Sequence, residues 1–293
     1  MANASNQESL DLLVSILDLE ELELNLFRGR TPKEDRIRVF GGQVAGQALV
    51  AAGRTVAAGV VHSLHAYFLR PGDPSIPIVY QVDRIRDGRS FTTRRVVAIQ
   101  HGDAIFNLSA SFQQPEDGLE HQIPMPEAPD PESLPSFQER TERYLTASAP
   151  TELRRWLMRD RPIDVRHVNP VDYLHPEKRP PRQLVWIRAD GTLPDSPLLH
   201  QCVVAYASDM TLMDTATLPH AVSWVDGRFQ MASLDHAMWF HRPFRADEWL
   251  LYVQESPTAS GGRGFTTGSL FRRDGTLVVS VAQEGLIRQR RKQ

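Results

Sequence analysis

The sequence has one cysteine, few lysines and no long apolar run. Cys202 has no second cysteine to pair with, so an internal disulfide and a thiolate metal site are both excluded. No segment approaches the roughly 18 apolar residues that a membrane-spanning helix needs, so stable membrane insertion is not expected. Only three of the 33 basic residues are lysines, and the net charge is −3. Such a charge does not suit a chain that binds many phosphates, so nucleic acid is not an expected partner.

Several sequence motifs of common enzymes are missing as well. The chain has no G-x-S-x-G elbow, no H-E-x-x-H pair, no P-loop and no G-x-G-x-x-G after a predicted strand. The glycine-rich stretch 261–264 predicts a hairpin or bulge rather than a phosphate site. We therefore expect neither a metal nor another cofactor. The sequence begins without a basic and then apolar segment and ends in Arg-Lys-Gln, so a cytoplasmic location is expected.

The first 115 residues predict helices and an antiparallel sheet. Leu10, Leu13 and Leu17 fall on one face of a helix, and alternating leucines at 22–26 predict one half-buried strand. A stretch rich in alanine, from Gly41 to about residue 58, predicts a helix that a sheet can approach closely. Short turns separate four more predicted strands, at about 62–70, 77–87, 90–101 and 104–113.

Proline density marks the end of this first unit. Six prolines lie between Pro115 and Pro135, which is too dense for regular structure and typical of an extended connector. A helix is predicted at about 137–159, and the stretch 162–182 is predicted to be irregular. The chain of 293 residues is thus divided into an N-terminal domain, a connector with a helix and a C-terminal domain, at 1–115, 116–182 and 183–293.

The last part of the chain repeats the order of the first. The predicted elements are a strand at 183–188, a helix at 197–213 and strands near 221–225, 229–241, 248–256, 263–273 and 276–287. Three sequence matches share almost one offset and indicate a duplicated domain. They are 67–71 with 239–243 at 172 residues, 89–93 with 263–267 at 174, and Gly102 with Gly275 at 173.

Each copy is therefore a helix followed by an antiparallel sheet that must curl around it to bury it. This is an α+β arrangement of the hotdog type, here in a tandem, or double, form. A looser match of Gln43 with Gln201 places Ala51 of the first copy where the second has Asp209. It predicts one working site per chain and extra residues between the helix and the sheet of the second copy.

Three polar residues interrupt apolar elements and are candidates for chemistry. An ionised Asp209 in a buried helix would cost several kcal/mol without a partner, although the residue could instead face solvent or cap the next turn. Gln283 follows an apolar run in a predicted strand, where a polar edge-strand residue is the alternative interpretation. Ser233 carries little information by itself, because a serine at the start of a strand is structural in most proteins.

Four histidines lie near or within equivalent strands, at positions 62, 65, 236 and 241. A histidine beside a carboxylate could perform acid–base chemistry. The alternation of a strand, however, places His62 and His65 on opposite faces. We therefore predict that each is a hydrogen-bonded, partly buried residue and assign none of them as the base.

Longer motifs occur in both halves of the chain: VFGGQ at 39–43, HS at 62–63, YFLRPGD at 67–73, YASD at 206–209, LDHAMWFH at 234–241 and QEG at 283–285. Together they resemble the acyl-CoA thioesterase II family over nearly the whole sequence. The resemblance implies the double-hotdog fold, in agreement with the repeat. It also implies hydrolysis of fatty acyl-CoA to free fatty acid and CoA, with acyl-CoA as the only partner needed for the reaction.

The resemblance further implies that an Asp, a hydroxyl residue and a Gln position the attacking water, and these map onto Asp209, Ser233 and Gln283. Asp209 would accept a proton from the water, while the other two would orient the water or the developing oxyanion. Additional candidates for substrate binding are Gly42, His62, Arg89 and Arg263, the two arginines because of their equivalent places in the repeat.

Two other functions stay open at this point. An enoyl-CoA hydratase of the hotdog type would use the same fold and ligand with an Asp and a His, and a non-catalytic acyl-CoA-binding protein would need neither. The family resemblance and the exposed sheet faces of the fold also predict a homodimer or homotetramer.

Overall fold

The computed structural model describes residues 4–32, 38–144, 154, 157–224 and 227–290. The first half contains α1 (Ala4–Leu17), β1 (Glu20–Glu23), β2 (Leu26–Gly29), α2 (Gly41–Arg54), β3 (Val60–Phe68), β4 (Ile78–Asp87), β5 (Phe91–Gln100) and β6 (Asp103–Gln113). The second half contains α3 (Phe137–Tyr144), β7 (Ile163–His167), β8 (Arg182–Ala189), α4 (Pro197–Ser208), β9 (Phe229–Ser233), β10 (Asp235–Phe240), β11 (Leu250–Ser260), β12 (Arg263–Arg272) and β13 (Leu277–Gln289). Short 3-10 helices lie at Pro131–Ser133, Met213–Ala216 and Leu218–His220. Within the described ranges, no helix is long and apolar enough to cross a membrane.

All of these strands belong to one sheet whose two halves meet at its centre. The strand order is β1-β2-β4-β5-β6-β3-β10-β13-β12-β11-β8-β7, and β9 pairs with β13. Antiparallel pairing of β3 with β10 places His65 opposite Ala237. These two residues are related by the repeat offset of 172. A pseudo-two-fold axis therefore passes between β3 and β10, and the predicted tandem hotdog is confirmed.

The two central helices pack antiparallel inside the curled sheet. Eleven consecutive residues of α2, from Gly42 to Ala52, are buried, because their side chains are mostly small or apolar. At Gly46 an added Cβ would lie 3.2 Å from the Cys202 carbonyl oxygen of α4, so the absent side chain allows close contact. This packing sets the N-terminus of α2 beside the C-terminus of α4.

Two predictions for the first half need correction. Residues 20–29 form the β1–β2 hairpin rather than one strand, because Asn25 turns the chain with a left-handed φ of 61°. Leu24 beside it is 68% exposed. The alanine-rich helix ends at Arg54 instead of near residue 58. At this end, Thr55 Oγ1 donates to the Ala52 carbonyl. The four later strands lie within two residues of their predicted bounds.

The second half differs from prediction in three stretches. The range 162–182 is not irregular throughout, because Ile163–His167 forms β7, which buries alternate residues and pairs with β8. Residues 221–224 form no strand, since Ala221 has a left-handed φ of 51°, and 225–226 lie outside the described residues. The predicted strand 229–241 is broken at Leu234 into β9 and β10.

One predicted helix of the second half is shorter than expected, because the helix at 197–213 stops at Ser208. Of the helix predicted at 137–159, α3 covers 137–144, and residues 154, 157 and 158 are also helical. The rest of that stretch falls largely outside the described residues. Because β7 lies within the predicted connector yet pairs with the C-terminal sheet, the three-domain division stays a prediction.

An insertion distinguishes the second copy from the first. Residues 55–59 join α2 to β3, whereas residues 209–234 lead from α4 to β10. The predicted extra residues between helix and sheet are thereby confirmed. They contain two 3-10 helices and β9, and β9 carries Ser233 to the end of α4.

Candidate active site

The C-terminus of α4 and the strands β9 and β13 bring Asp209, Ser233 and Gln283 together. Asp209 follows Ser208 and is the C-cap residue of α4. Ser233 is the last residue of β9, where it pairs with Gly285 of β13. Gln283 lies in β13, whose neighbours are β12, β10 and β9, so it is not an edge-strand residue. The three predicted catalytic residues, which are far apart in sequence, thus share one site.

Their side chains form a closed set of hydrogen bonds around one carboxylate oxygen. Gln283 Nε2 donates to Asp209 Oδ1 at 2.7 Å and to Ser233 Oγ at 2.8 Å. Ser233 Oγ donates to the same Oδ1 at 3.2 Å. Because each side chain is held by the other two, the carboxylate is fixed before any ligand binds.

Burial tunes the acidity of Asp209. Gln283 is fully buried, and Asp209 is partly buried beside it. Burial raises the pKa of Asp209 to about 6, against hydrogen bonds from Gln283, Ser233 and the Gly42 backbone that favour the ionised form. The carboxylate is therefore mostly ionised at neutral pH, while its pKa lies close enough to neutrality for work as a general base.

The N-terminus of α2 completes the site. A Cβ added at Gly41 would lie 2.7 Å from Asp209 Oδ2, and one added at Gly42 would lie 2.3 Å from the Tyr206 carbonyl oxygen. The first N–H groups of a helix have no intrahelical acceptor and carry partial positive charge. Gly42, which the sequence predicts as a substrate-binding residue, therefore lies next to the Asp209 carboxylate. Gly41 was not predicted, although the Gly-Gly pair in VFGGQ was the available signal.

His236 is a second residue that the sequence did not assign. Its ring is 1% exposed, and its Nε2 lies 2.9 Å from Ser208 Oγ. A side-chain hydrogen bond with Gln283 favours the protonated form of the His236 ring, but burial outweighs it. Burial lowers the pKa of His236 to about 4, so the ring is neutral near pH 7.

The other predicted residues are divided between the two ends of the molecule. Arg263 begins β12 and donates to Glu284 Oε1 at 2.8 Å, directly beside Gln283 in sequence. His62 lies near the start of β3, six residues and about 20 Å from the end of that strand at the Asp209 site. Arg89 is exposed in the β4–β5 turn. His62 and Arg89 are therefore not brought to Asp209.

The fold and the site together define a double-hotdog enzyme that holds a fixed, buried carboxylate beside a helix N-terminus. Among the described residues, no group of three or more His, Cys, Asp or Glu side chains is arranged to hold a metal ion. The available chemistry is that of a carboxylate, an amide, a hydroxyl and backbone N–H groups, which can activate and orient water.

Comparison with known proteins gives the family. A model of the "Acyl-CoA thioesterase N-terminal domain" matches residues 30–113, and an "Acyl-CoA thioesterase" model matches residues 158–286. Acyl-coenzyme A thioesterase 8 of Homo sapiens is 46% identical over 285 residues, which cover 94% of this chain and 89% of that protein. Acyl-CoA thioesterase 2 of Haemophilus influenzae is 39% identical over 280 residues, with coverage of 95% and 98%.

Solved structures agree with this result. The crystal structure of an acyl-CoA thioesterase II from Mycobacterium marinum matches with a TM-score of 0.77 and 47% identity, covering 95% of this chain and 98% of that one. The chain therefore belongs to the acyl-CoA thioesterase II family and is a thioester hydrolase. A hotdog protein from Alicyclobacillus acidocaldarius, at 19% identity and a TM-score of 0.75, shows the same fold.

One relative bears on the predicted location. The "Peroxisomal acyl-coenzyme A thioester hydrolase 1" of Saccharomyces cerevisiae is 25% identical over 299 residues, which cover 85% of each protein. Because similar proteins include one named for the peroxisome, a cytoplasmic location of this chain stays a prediction.

Proposed function

We propose that this chain hydrolyses fatty acyl-CoA to free fatty acid and CoA with a water molecule activated by Asp209 and oriented by Ser233 and Gln283. The observation that carries the proposal is the closed hydrogen-bond set on Asp209 Oδ1. A carboxylate fixed in this way, with its pKa raised to about 6, is poised to accept a proton from water.

The reaction then needs no covalent intermediate. Asp209 accepts a proton as the water oxygen bonds to the thioester carbonyl carbon, which gives a tetrahedral intermediate with a negatively charged oxygen. Collapse of this intermediate breaks the carbon–sulfur bond. The CoA thiolate leaves and takes up the proton held by Asp209, which restores the carboxylate, and the fatty acid loses its own proton to solvent. A thiolate is a good leaving group, so a metal ion is not required.

The N-terminus of α2 is the natural place for the oxyanion. The Gly42 N–H donates to the Asp209 carboxylate, so the α2 terminus would act on the adjacent oxyanion through the positive end of its helix dipole. Preorganised backbone donors stabilise charge that develops in the transition state. Arg263, beside Glu284 at the same end of the sheet, is our candidate for the CoA phosphates. The exposed Tyr67 and Trp239 on β3 and β10 support the proposed homodimer or homotetramer.

A thiol-release assay across acyl chain lengths tests the reaction type. We expect free CoA thiol from saturated acyl-CoA of at least one chain length, in an amount equal to the fatty acid formed. With a 2-enoyl-CoA, a hydratase would instead form 3-hydroxyacyl-CoA without free thiol. A protein that binds acyl-CoA and gives neither product would be a non-catalytic binder, and either of these two results would refute the proposal.

The pH profile is a prediction that follows from the acidity of Asp209. Because only the ionised carboxylate can accept the proton, kcat/KM should fall below a pH of about 6, tenfold for each further pH unit. The fall should be absent from the residual activity of Asp209→Asn. A wild-type profile that stays flat down to pH 5 would mean that no group with this acidity acts as the base.

Gly41 provides a steric test of the same site. The Cβ of Gly41→Ala would lie 2.7 Å from Asp209 Oδ2, so the carboxylate must shift, and a shift of this kind costs about tenfold to 100-fold in kcat. Gly118→Ala is the matched control, because its new Cβ would have no atom within 4 Å in the described structure. If thiol release gave equal kcat values for the two variants, the N-terminus of α2 would have no role in positioning Asp209 for catalysis.

A further inference from the structure

A cavity of about 710 Å³, called the second cavity below to distinguish it from the Asp209 site, lies at the opposite end of the central helices from Asp209. Its wall includes Val61 near the start of β3, Phe240 at the end of β10 and Pro197 in the first turn of α4. The pseudo-two-fold axis between β3 and β10 exchanges the two ends of these strands and of the antiparallel helices. The cavity therefore occupies the position that corresponds to the active site.

Strand register shows which residues replace the catalytic ones there. Ser233 and Val61 are 172 residues apart, and their pairing partners on β13 and β6 are 173 residues apart. Val61 therefore stands in for Ser233. The same offset of 173 along these two strands puts Ala110 in the place of Gln283. The second cavity has a valine and an alanine where the active site has a hydroxyl and an amide.

Helix packing identifies the counterpart of the carboxylate and corrects the alignment made from the sequence. An added Cβ at Gly53 would lie 2.5 Å from Leu198 Cδ2, which mirrors the contact of Gly42 with Asp209. Gly53, rather than Ala51, therefore takes the place of Asp209. With all three catalytic groups replaced, the second cavity has no means of activating water in the proposed way.

The cavity nevertheless retains hydrogen-bond donors. His200 is 2% exposed, and its Nδ1 accepts from the Ala246 backbone N–H at 3.0 Å. The neutral ring must then carry its hydrogen on Nε2, which has no partner within the described residues. The Leu198 N–H in the first turn of α4 corresponds to the Gly42 N–H and has no intrahelical acceptor, and Leu198 lies in sequence between the lining residues Pro197 and His200.

The lining suits a hydrocarbon chain with a polar end. A volume of about 710 Å³ lies within the range of small-molecule sites. The apolar part of the wall includes Val60, Val61, Pro197, Phe240, Pro243 and Phe244. Three arginines and three acidic residues balance one another among the charged lining residues, so a large net charge is not selected. The polar requirement is an acceptor oxygen that can meet His200 Nε2–H.

We propose that this cavity binds a fatty acyl group, as the free acid or as the acyl-CoA, and holds it without hydrolysing it. The acyl chain lies against the apolar wall, and its carboxylate or carbonyl oxygen accepts from His200 Nε2 and the α4 N-terminus. His62, which lines this cavity and not the active site, contributes here. One chain therefore holds two acyl groups, of which one reacts.

Calorimetric titration with two probes tests this proposal. The probes are dodecanoate and S-(2-oxotridecyl)-CoA, in which a methylene between sulfur and carbonyl removes the thioester. We expect two equivalents of the CoA probe per wild-type chain and one in Val60→Trp, because Val60 is 42% exposed and a larger side chain there fills the cavity mouth. Leu119→Trp, fully exposed outside the cavity wall, is the control and should keep two. If the ligand is the free acid alone, dodecanoate binding is lost in Val60→Trp instead.

Binding of both probes by Val60→Trp with the same stoichiometry as by Leu119→Trp would overturn the proposal. Photolabelling of the wild type with a diazirine analogue of dodecanoate avoids dependence on variant folding. Cross-links to segments 60–62 or 240–244 are expected, and cross-links confined to the Asp209 site would also overturn it. Neither measurement requires turnover, so a failure of the proposed hydrolysis would be visible separately in thiol release.

Discussion

Asp209→Asn should lower kcat for acyl-CoA hydrolysis by about 1000-fold, within the range that a positioned general base contributes. The amide keeps an oxygen that can accept from Gln283 Nε2 and Ser233 Oγ, so the local hydrogen bonds survive. What is lost is the ability to take a proton from water. KM should change little, because the substitution removes a group needed in the transition state. The measurement is thiol release under saturating substrate, and kcat within threefold of wild type would refute the role of Asp209.

The same variant offers a control for correct folding. Since burial raises the pKa of Asp209 in the folded state from 3.8 to about 6, the carboxyl favours folding when protonated. Its contribution to stability is lost as pH rises from about 4 to 6 and stays lost above that range. Asp209→Asn should therefore be more stable than wild type at pH 7.5, by up to about 3 kcal/mol, and similar to it at pH 4. Denaturant unfolding at both pH values checks this, and a less stable variant at pH 7.5 would mean that kcat reports misfolding.

Gln283→Ala should lower kcat by about 100-fold, because Asp209 loses its shortest hydrogen bond and Ser233 loses the amide that holds it. Gln283→Glu should be more damaging near neutral pH. A second carboxyl group about 3 Å from Asp209 would share a proton with it, so the acid limb of the pH profile should move to higher pH.

The comparison of the two substitutions separates position from charge. If Gln283→Ala and Gln283→Glu had the same pH profile, the residue at 283 would not interact with the base. Gln122→Glu is the matched control, because Gln122 is exposed and its side chain bonds the backbone of Gly275 and Leu277, far from Asp209 in the fold. Gln122→Glu should change neither kcat nor the pH profile of the activity.

Much of the fold could be predicted because the two copies have similar sequences at equivalent turns and strand ends. Gly102 and Gly275 both adopt positive φ in equivalent hairpins, and this requirement preserves glycine in both copies. The β1–β2 hairpin was missed because Asn25, a residue that tolerates left-handed φ, sits within an alternating leucine pattern that a single strand would also give. β7 was missed because prolines on both sides conceal a short edge strand.

The site was predictable only in part. Asp209 and Gln283 stood out because each is a polar residue in an apolar element, but this pattern left other interpretations open, and their roles come from the family resemblance. The structure places both side chains in one hydrogen-bonded set. The contact of Ser233 with these two residues depends on the break of the predicted strand 229–241 at Leu234, which no local pattern reveals. The motif around His62 predicts a substrate-binding residue, yet His62 lies near the start of β3 and lines the second cavity, at the opposite end from Asp209. Sequence motifs record which residues matter but not which end of a pseudo-symmetric fold they reach.

A single-turnover hydrolysis in ¹⁸O-labelled water, with enzyme in excess over acyl-CoA, tests the central claim most directly. If Asp209 activates water for direct attack on the thioester, the fatty acid released in the first turnover contains one ¹⁸O atom. If Asp209 instead attacks the thioester and water then cleaves the anhydride at the aspartyl carbon, the fatty acid is unlabelled and the label remains in Asp209. Mass spectrometry of the acid and of the Asp209 peptide distinguishes the two, and an unlabelled acid would contradict the mechanism.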